Sequence, residues 1–566
     1  MTRLVSLPAE LIAAILNELD FRDLLRCREV CSKFKTIIDD DLRTEYKVEL
    51  AVSGMQDGLS SPLTLVERLS ILRARRKAWN EFAWTAKEDV PMRQGYAWEL
   101  SGNVLAQTEG ERTLHFKQIL SAIRGIEGTE WTIPDVGCRI TGFGMDPAQD
   151  LLVVIEHFWD QNSELMYRIH LKALSTGAPH PAGPPEGMLT PQSKTRSFSC
   201  SIKISGDHLG ILIACTDSKE LLVWDWKLGT LQLHLTGREI RSWAFLTSRL
   251  LLVAKAHSQY NEQTGCTVYI PQLAIIDLER HAPSASASPG SVSLCDTSTV
   301  CTFHFPPLAH DVVALDMVMQ SDPRPTDSEN VSPNSLRVPF SLSDDPEHRL
   351  FLVSLWIIRG LMEEVVLRAL VPASTFLRVL SSSTLGPPVT PENSAAQTLR
   401  DFTWAEWGER GARFFVTSGN GSPASSEACY VYGTVFATTQ VDSDPDTDAP
   451  DGNGMERMSV TVRDFNQLAL RRSAPSRATE SKSKPGPAEE QNVRVVTDAT
   501  VLTGAAGVFK EEVTTSLPYT ERVLVLSEPE EGQDDTSWDA AIPTEDALVL
   551  ATSMWNERFR CRIMSI

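Results

Sequence analysis

The stretch Phe198 to Leu235 constrains the fold more than any other part of the chain. Ser199 to Ile204 alternates apolar and polar side chains, Gly210 to Cys215 is an apolar run, and Leu221 to Trp226 and Thr230 to Leu235 are β-forming. Turn residues separate them: Asp217-Ser218-Lys219-Glu220 and Lys227-Leu228-Gly229. Four strands in about 40 residues, joined by tight turns, predict one antiparallel sheet that must stack on similar neighbours to bury both faces. The same texture recurs at Arg139 to Gly177, Glu239 to Glu279, Leu336 to Phe376, Arg400 to Thr439 and, more loosely, Arg457 to Ser527. Gly95 to Leu120 and Asp546 to Ile566 are strand-like as well.

Polar, Pro/Ser-rich segments lie between these units at 178–196, 280–299, 321–347, 381–399, 441–455, 473–491 and 527–545. Their composition buries too little apolar surface to offset ordering entropy, so they are expected to be disordered or mobile. Setting them and the first 90 residues aside leaves about 340 residues, which at about 45 per blade predicts a β-propeller of seven blades, with six or eight open. The alternating run Phe559-Arg560-Cys561-Arg562-Ile563 ends nearly flush with the chain. It is expected to help close the ring in a blade shared between the two chain ends.

The N-terminal region has a different period. Pro8 suits a first helical position. Leu11, Ile12, Ile15, Leu16 and Leu19 fall within about 140° of helical arc. Asp20 is a candidate N-cap for a second helix with Leu24 and Leu25, and Val30, Cys31, Phe34, Ile37 and Ile38 stripe a third. Three short helices make a marginal core alone and want a partner surface. Residues 46–90 continue as a helical linker with a Leu65, Val66, Leu69, Leu72, Trp79 stripe; its cluster Arg73, Arg75, Arg76 and Lys77 is expected on a solvated face. The predicted organisation is therefore a small all-α unit over 1–45, a helical linker over 46–90 and a large all-β domain over 91–566.

Charge narrows the partners. With 53 basic and 74 acidic residues the net charge is −21, which argues against a broad nucleic-acid surface. Ten Cys without a CxxC pair predict a reducing compartment. The short apolar stretch Leu11 to Leu16 follows Glu10, and the longest apolar run, Phe351 to Ile358, is too short to span a bilayer. No membrane partner is expected, and the chain is expected in the cytoplasm or nucleus.

The run Leu7-Pro8-Ala9-Glu10-Leu11-Ile12, with Ile15-Leu16, Asp23-Leu24-Leu25 and Val30-Cys31-Ser32-Lys33-Phe34, closely resembles the F-box motif. Ser32 stands where many F-boxes carry a basic residue, and Lys33 supplies that charge one position later. The linker, with Tyr46 to Leu50, Gly54-Met55 and Glu67-Arg68-Leu69, resembles that of fungal F-box proteins with a large β-rich second domain. Leu222-Val223-Trp224-Asp225 followed by Gly229 looks like the end of a WD-type repeat. The resemblance implies docking on the adaptor of an SCF-type cullin–RING ubiquitin ligase through Leu7, Pro8, Leu11, Ile15, Leu24, Leu25, Val30 and Phe34, packed partly against the adaptor and partly against one another. It implies a substrate receptor whose propeller recruits a client protein; a scaffold without a ubiquitination client is the alternative.

Enzyme signatures are missing from the sequence. It has no GxSxG elbow, GxxxxGK[ST] loop, HExxH pair or GxGxxG after a strand, so no catalytic residue and no cofactor or metal is expected. Cys27 and Cys31 read as helix-packing thiols. Trp404, Trp407, Trp538 and Trp555 are expected to fill space between blades.

Overall fold

A computed structural model describes residues 4–58, 61–91, 93, 95, 97–190, 199–214, 218–261, 266–281, 291–325, 338–360, 363–384, 400–418, 429–442, 457–473, 493–502, 507–526, 538–552 and 560–566. Helices α1 (Ala9–Asn17), α2 (Phe21–Val30), α3 (Ser32–Asp40), α4 (Leu42–Val52) and α5 (Leu65–Glu81) come first. Seven four- or five-stranded sheets follow and form a seven-bladed propeller. Two further two-stranded antiparallel pairs, Met55–Asp57 with Phe340–Leu342 and Thr500–Leu502 with Val513–Thr515, lie outside the blades.

The third blade matches the sequence unit that predicted it. Cys200–Ser205, His208–Ala214, Lys219–Asp225 and Thr230–Gly237 pair in chain order, all antiparallel. Trp224 packs among Leu151, Val153 and Tyr167 of the second blade, so the WD-type dipeptide does join neighbouring blades. Gly229 turns the chain at φ +68°. Gly210 lets the third and fourth blades close up: a Cβ there would lie 2.1 Å from Cη2 of Trp243. Trp407 completes an aromatic cluster with Phe303, Phe305, Phe376 and Phe414 between the fourth and fifth blades, and Trp538 is buried between the sixth and seventh. Trp555 lies outside the described residues.

The seventh blade closes the ring. Ala540–Pro543, Ala547–Ala551 and Arg560–Ser565 come from the chain end, and Ala86–Pro91 adds as the outer strand, pairing Ala86 with Ser565 through Pro91 with Arg560. Asp89 and Arg562 form a two-point ion pair across that seam, at 2.6 and 2.8 Å. Pro91, which has no N–H to offer, is tolerated because the strand is at the sheet edge. The boundary expected at residue 90/91 therefore runs through a strand, and the linker is not wholly helical.

Two other readings change. Val312–Gln320 is the inner strand of the fifth blade, separated from Leu350–Arg359 by a long insertion, so the unit was not visible as a run. Arg413–Ser418 finishes the fifth blade and Val431–Tyr432 begins the sixth, whereas Arg400–Phe402 adds in parallel to the fourth. The polar segments are also partly built into sheets: Met188–Leu189, Val292–Ser293, Phe340–Leu342 and Ala540–Pro543 all pair through their backbones. Backbone pairing needs no apolar sequence, which is why composition did not reveal them.

Candidate docking site

Helices α1 to α3 close on a small core of Ile12, Leu16, Leu24, Phe34 and Ile38. The Asp20 carboxylate caps α2, accepting from the Arg22 and Asp23 amides at 2.7 and 2.9 Å. Lys33 donates to the Leu7 carbonyl at 3.0 Å, and Arg28 grips Asp39 at 2.6 and 3.0 Å. Nine-residue helices are marginal in isolation, and these contacts hold them in register.

The sequence-predicted docking residues divide into two groups. Leu24 and Phe34 are buried in the small core, where they pack against the other helices and hold them together. Leu7 is half-buried. Pro8, Leu11, Ile15, Leu25 and Val30 are exposed, with Leu11 at 53% and Val30 at 67%. Leu4, which the sequence reading did not single out, is exposed as well. So many large apolar side chains left in water on so small a module make this face the candidate docking surface.

The other side of this module is fastened to the propeller. Lys47 of α4 donates to the Asn17 and Leu19 carbonyls at 2.6 and 2.8 Å, tying α4 to α1. Arg22 of α2 reaches Asp345 and Glu347, both at 3.1 Å. Buried Glu49 of α4 meets Arg76 of α5 at 2.6 Å and Arg472 of the helix Gln467–Ser473 at 2.7 Å. Burial works against its charge, but the Arg472 hydrogen bond and the Arg76 charge prevail and hold the carboxyl below its usual range. Met55–Asp57 pairs with Phe340–Leu342, and the Tyr46 hydroxyl donates to Asp57 at 2.8 Å.

Helix α5 carries the strongest link. It starts at a Thr64/Glu67 capping box and ends at Phe82 in the left-handed region. Arg75 meets Asp546 at 2.8 Å, and Arg124 of the first blade meets the same carboxylate at 2.5 Å and Glu545 at 2.8 Å. Burial raises the Asp546 carboxyl, but Arg124 and Arg75 outweigh it and hold it below the usual carboxylate range. Arg73 pairs with Glu45. Within the basic cluster expected on a solvated face, Arg75 and Arg76 are thus used to fasten the linker, while Arg73 and Lys77 are exposed, Lys77 paired weakly at 3.9 Å to Glu81. Trp79, Phe82 and Trp84 pack against the apolar seam between the sixth and seventh blades.

These contacts all lie at one end of the propeller, where the first and second strands of each blade turn. A described segment crosses that end of the central channel. The segment Ser321 to Pro325 leaves the inner strand of the fifth blade and is tied on three sides: the Asp322 carbonyl accepts from Gly433 of the sixth blade at 2.7 Å, Arg324 meets Glu99 of the first at 3.2 Å, and Ser205 of the third donates to the Pro325 carbonyl at 2.7 Å. Above this floor is a cavity of about 420 Å³, walled by inner strands of the first five blades. Ser199 and Arg241 lie at its far end, where the inner strands of the third and fourth blades begin, and Lys219 starts the third strand of the third blade at the same end. Among the described residues, no group of three or more His, Cys, Asp or Glu could hold a metal ion, and no helix is long and apolar enough to cross a membrane.

An F-box-like family profile matches residues 4–45. No curated protein matches the sequence. Among solved structures, the WD40 domain of SCAP from fission yeast is similar at 10% identity over 90% of this chain and 98% of that one, with a TM-score of 0.32. The polysaccharide lyase Uly1 is similar at 8% identity over 83% and 90%, with a TM-score of 0.31. Prolyl oligopeptidase B from Galerina marginata follows at 8% identity over 65% and 46%, with a TM-score of 0.22. The propeller is defined by the strand pairing within its seven sheets.

Proposed function

For an F-box protein whose second domain is a seven-bladed, WD-like β-propeller, we propose the role of a non-catalytic substrate receptor in an SCF-type cullin–RING ubiquitin ligase. The exposed apolar face of α1 and α2 supports the reading most directly. Leu11, Ile15, Leu25 and Val30 are in water while the opposite side of the same helices is occupied by the linker and propeller. An adaptor subunit would cover that face. The propeller would then hold a client protein on the end away from the linker, within reach of the ubiquitin-conjugating enzyme. What the chain contributes is effective concentration and a fixed geometry, and neither needs an active site.

The test is titration of the adaptor into the purified full chain. Binding is expected, and Leu11→Glu with Ile15→Glu should weaken it by about a hundredfold or more, the scale of two lost hot-spot contacts. Unchanged binding by the double variant would remove the F-box assignment of this face. A client whose lifetime lengthens when the gene is deleted separates the receptor from an adaptor-bound scaffold.

A further inference from the structure

Between the fifth and sixth blades, burial falls away toward the end far from the linker. Near the linker the facing side chains Leu350, Leu352, Leu370, Phe436 and Tyr519 share one core. Alternation along Leu350–Arg359 puts Trp356 and Ile358 on the same face, yet both are only half-buried. Across the seam Val523 and Val525 are 45% and 63% exposed. Strand ends alone do not account for this. Leu355, Ile357 and Val365 stand at the same height on the opposite face of the fifth blade, against the fourth, and all are buried. The fifth and sixth blades therefore part at this end, leaving a cleft with an apolar rim. Arg368 stands inside it, with Ser354 and Phe415 as its neighbours in register. Arg463 of the sixth blade lies over the Phe415 ring at 4.8 Å and pairs with Glu521 at 2.9 Å. Arg368 is half-buried, and among the described residues its guanidinium has no hydrogen bond or ion pair, although it is not sealed from solvent. Other buried arginines are met: Arg75, Arg124 and Arg324 by carboxylates, Arg349 and Arg413 by backbone carbonyls.

We propose that this cleft takes an acidic side chain of an extended peptide, its carboxylate on Arg368 and its apolar neighbours against Trp356, Ile358, Val523 and Val525. A guanidinium presents parallel N–H donors that match the two oxygens of a carboxylate. Arg463 is already met by Glu521, so a single negative charge balances the cleft. Burial pushes Arg368 below its usual pKa, with Tyr430 opposing and Arg463 adding to the effect, and an incoming carboxylate would relieve that cost. The apolar side chains on both walls call for more than an ion: a peptide covers them while its acid reaches Arg368. The proposal rests on the receptor reading only in making that peptide part of the client.

The test presents the full chain with libraries of labelled, end-blocked heptapeptides, each with Glu, Gln or phosphoserine fixed at the centre between mixed apolar residues, and reads binding by fluorescence anisotropy. Glu peptides should bind about tenfold or more tighter than Gln peptides, the scale of a charge-assisted hydrogen bond. Arg368→Met should erase that difference without lowering the melting temperature, since it removes a half-buried charge that has no partner. Val525→Glu, at an exposed position where misfolding is not a concern, should weaken the Glu peptides as well. Adaptor titration of both variants should match that of the unaltered chain, so a failed cleft and a failed receptor reading give different results. Absence of binding from every library, equal binding of Glu and Gln, phosphoserine binding above Glu, or a Glu preference that survives Arg368→Met or ignores Val525→Glu would overturn the proposal.

Discussion

Arg75 and Asp546 are 471 residues apart in sequence and 2.8 Å apart in space. One belongs to the helix that leaves the small α-unit, the other to the first turn of the blade that closes the ring. With Arg124 on the same carboxylate, the pair makes the linker part of the propeller wall.

Breaking that link should cost more than an exposed ion pair would. Asp546→Ala leaves the buried Arg75 without its carboxylate and Arg124 with Glu545 as its remaining one, a loss of about 3–5 kcal/mol by precedent for buried pairs. We expect a clear drop in melting temperature, read by calorimetry, while Arg28→Ala at an exposed pair changes the stability by no more than about 1 kcal/mol.

The two groups within α1 to α3 should separate by phenotype. Phe34→Ala removes a ring from the small core and should cost about 3–5 kcal/mol locally, melting the helices. Val30→Ala sits on an exposed residue and should leave helicity intact while weakening adaptor binding. Circular dichroism of a 1–90 fragment, beside adaptor titration of the full chain, distinguishes the two.

Ring closure can be tested from either end of the chain. A chain beginning at residue 92 lacks the outer strand of the seventh blade and exposes the edge of Arg560–Ser565; one beginning at residue 84 keeps it. The shorter chain should aggregate and the longer should remain monomeric in light scattering. Removing 546–566 should have the same effect as the shorter start. Equal behaviour of all three would argue against a shared blade.

A pH effect is expected where α4 meets the propeller. His348 is 3% exposed beside Gly54, and neither ring nitrogen makes a full hydrogen bond. Burial pushes its pKa below the usual 6.5, against weaker opposing pulls from Asp345, Glu347, the Ala51 backbone and Asp464. A histidine depressed in the folded state contributes stability above its unfolded pKa and loses it as pH falls. The melting temperature should therefore decline below about pH 6.5, and His348→Phe should flatten that decline.

How much of this was legible in the sequence depended on the kind of contact. Helices announced themselves through period and caps: Asp20 caps α2 as expected, and Leu11 to Leu16 of the first stripe lie in α1, with Leu19 beyond its end. The third blade was legible because its four strands follow one another with short turns. The fifth was not, because its first and second strands flank the insertion between Gln320 and Leu350. Which apolar residues of the helices face outward was beyond the pattern as well: at these lengths the stripe shows a face, and only packing shows that Leu24 turns in while Leu25 turns out. The roles of Arg75 and Arg76 were hidden for a related reason. A basic run looks solvated until the acids that meet it, Asp546 and Glu49, are brought in from elsewhere.

The receptor reading requires that the linker hold the exposed apolar face at a fixed angle to the propeller. Spin labels placed through unnatural residues at Glu10 on α1 and at the exposed Trp159 in the second blade would report that angle by pulsed dipolar spectroscopy. The account predicts a single narrow distance distribution for the full chain, broadened by Asp546→Ala. A broad distribution in the unaltered protein would contradict it.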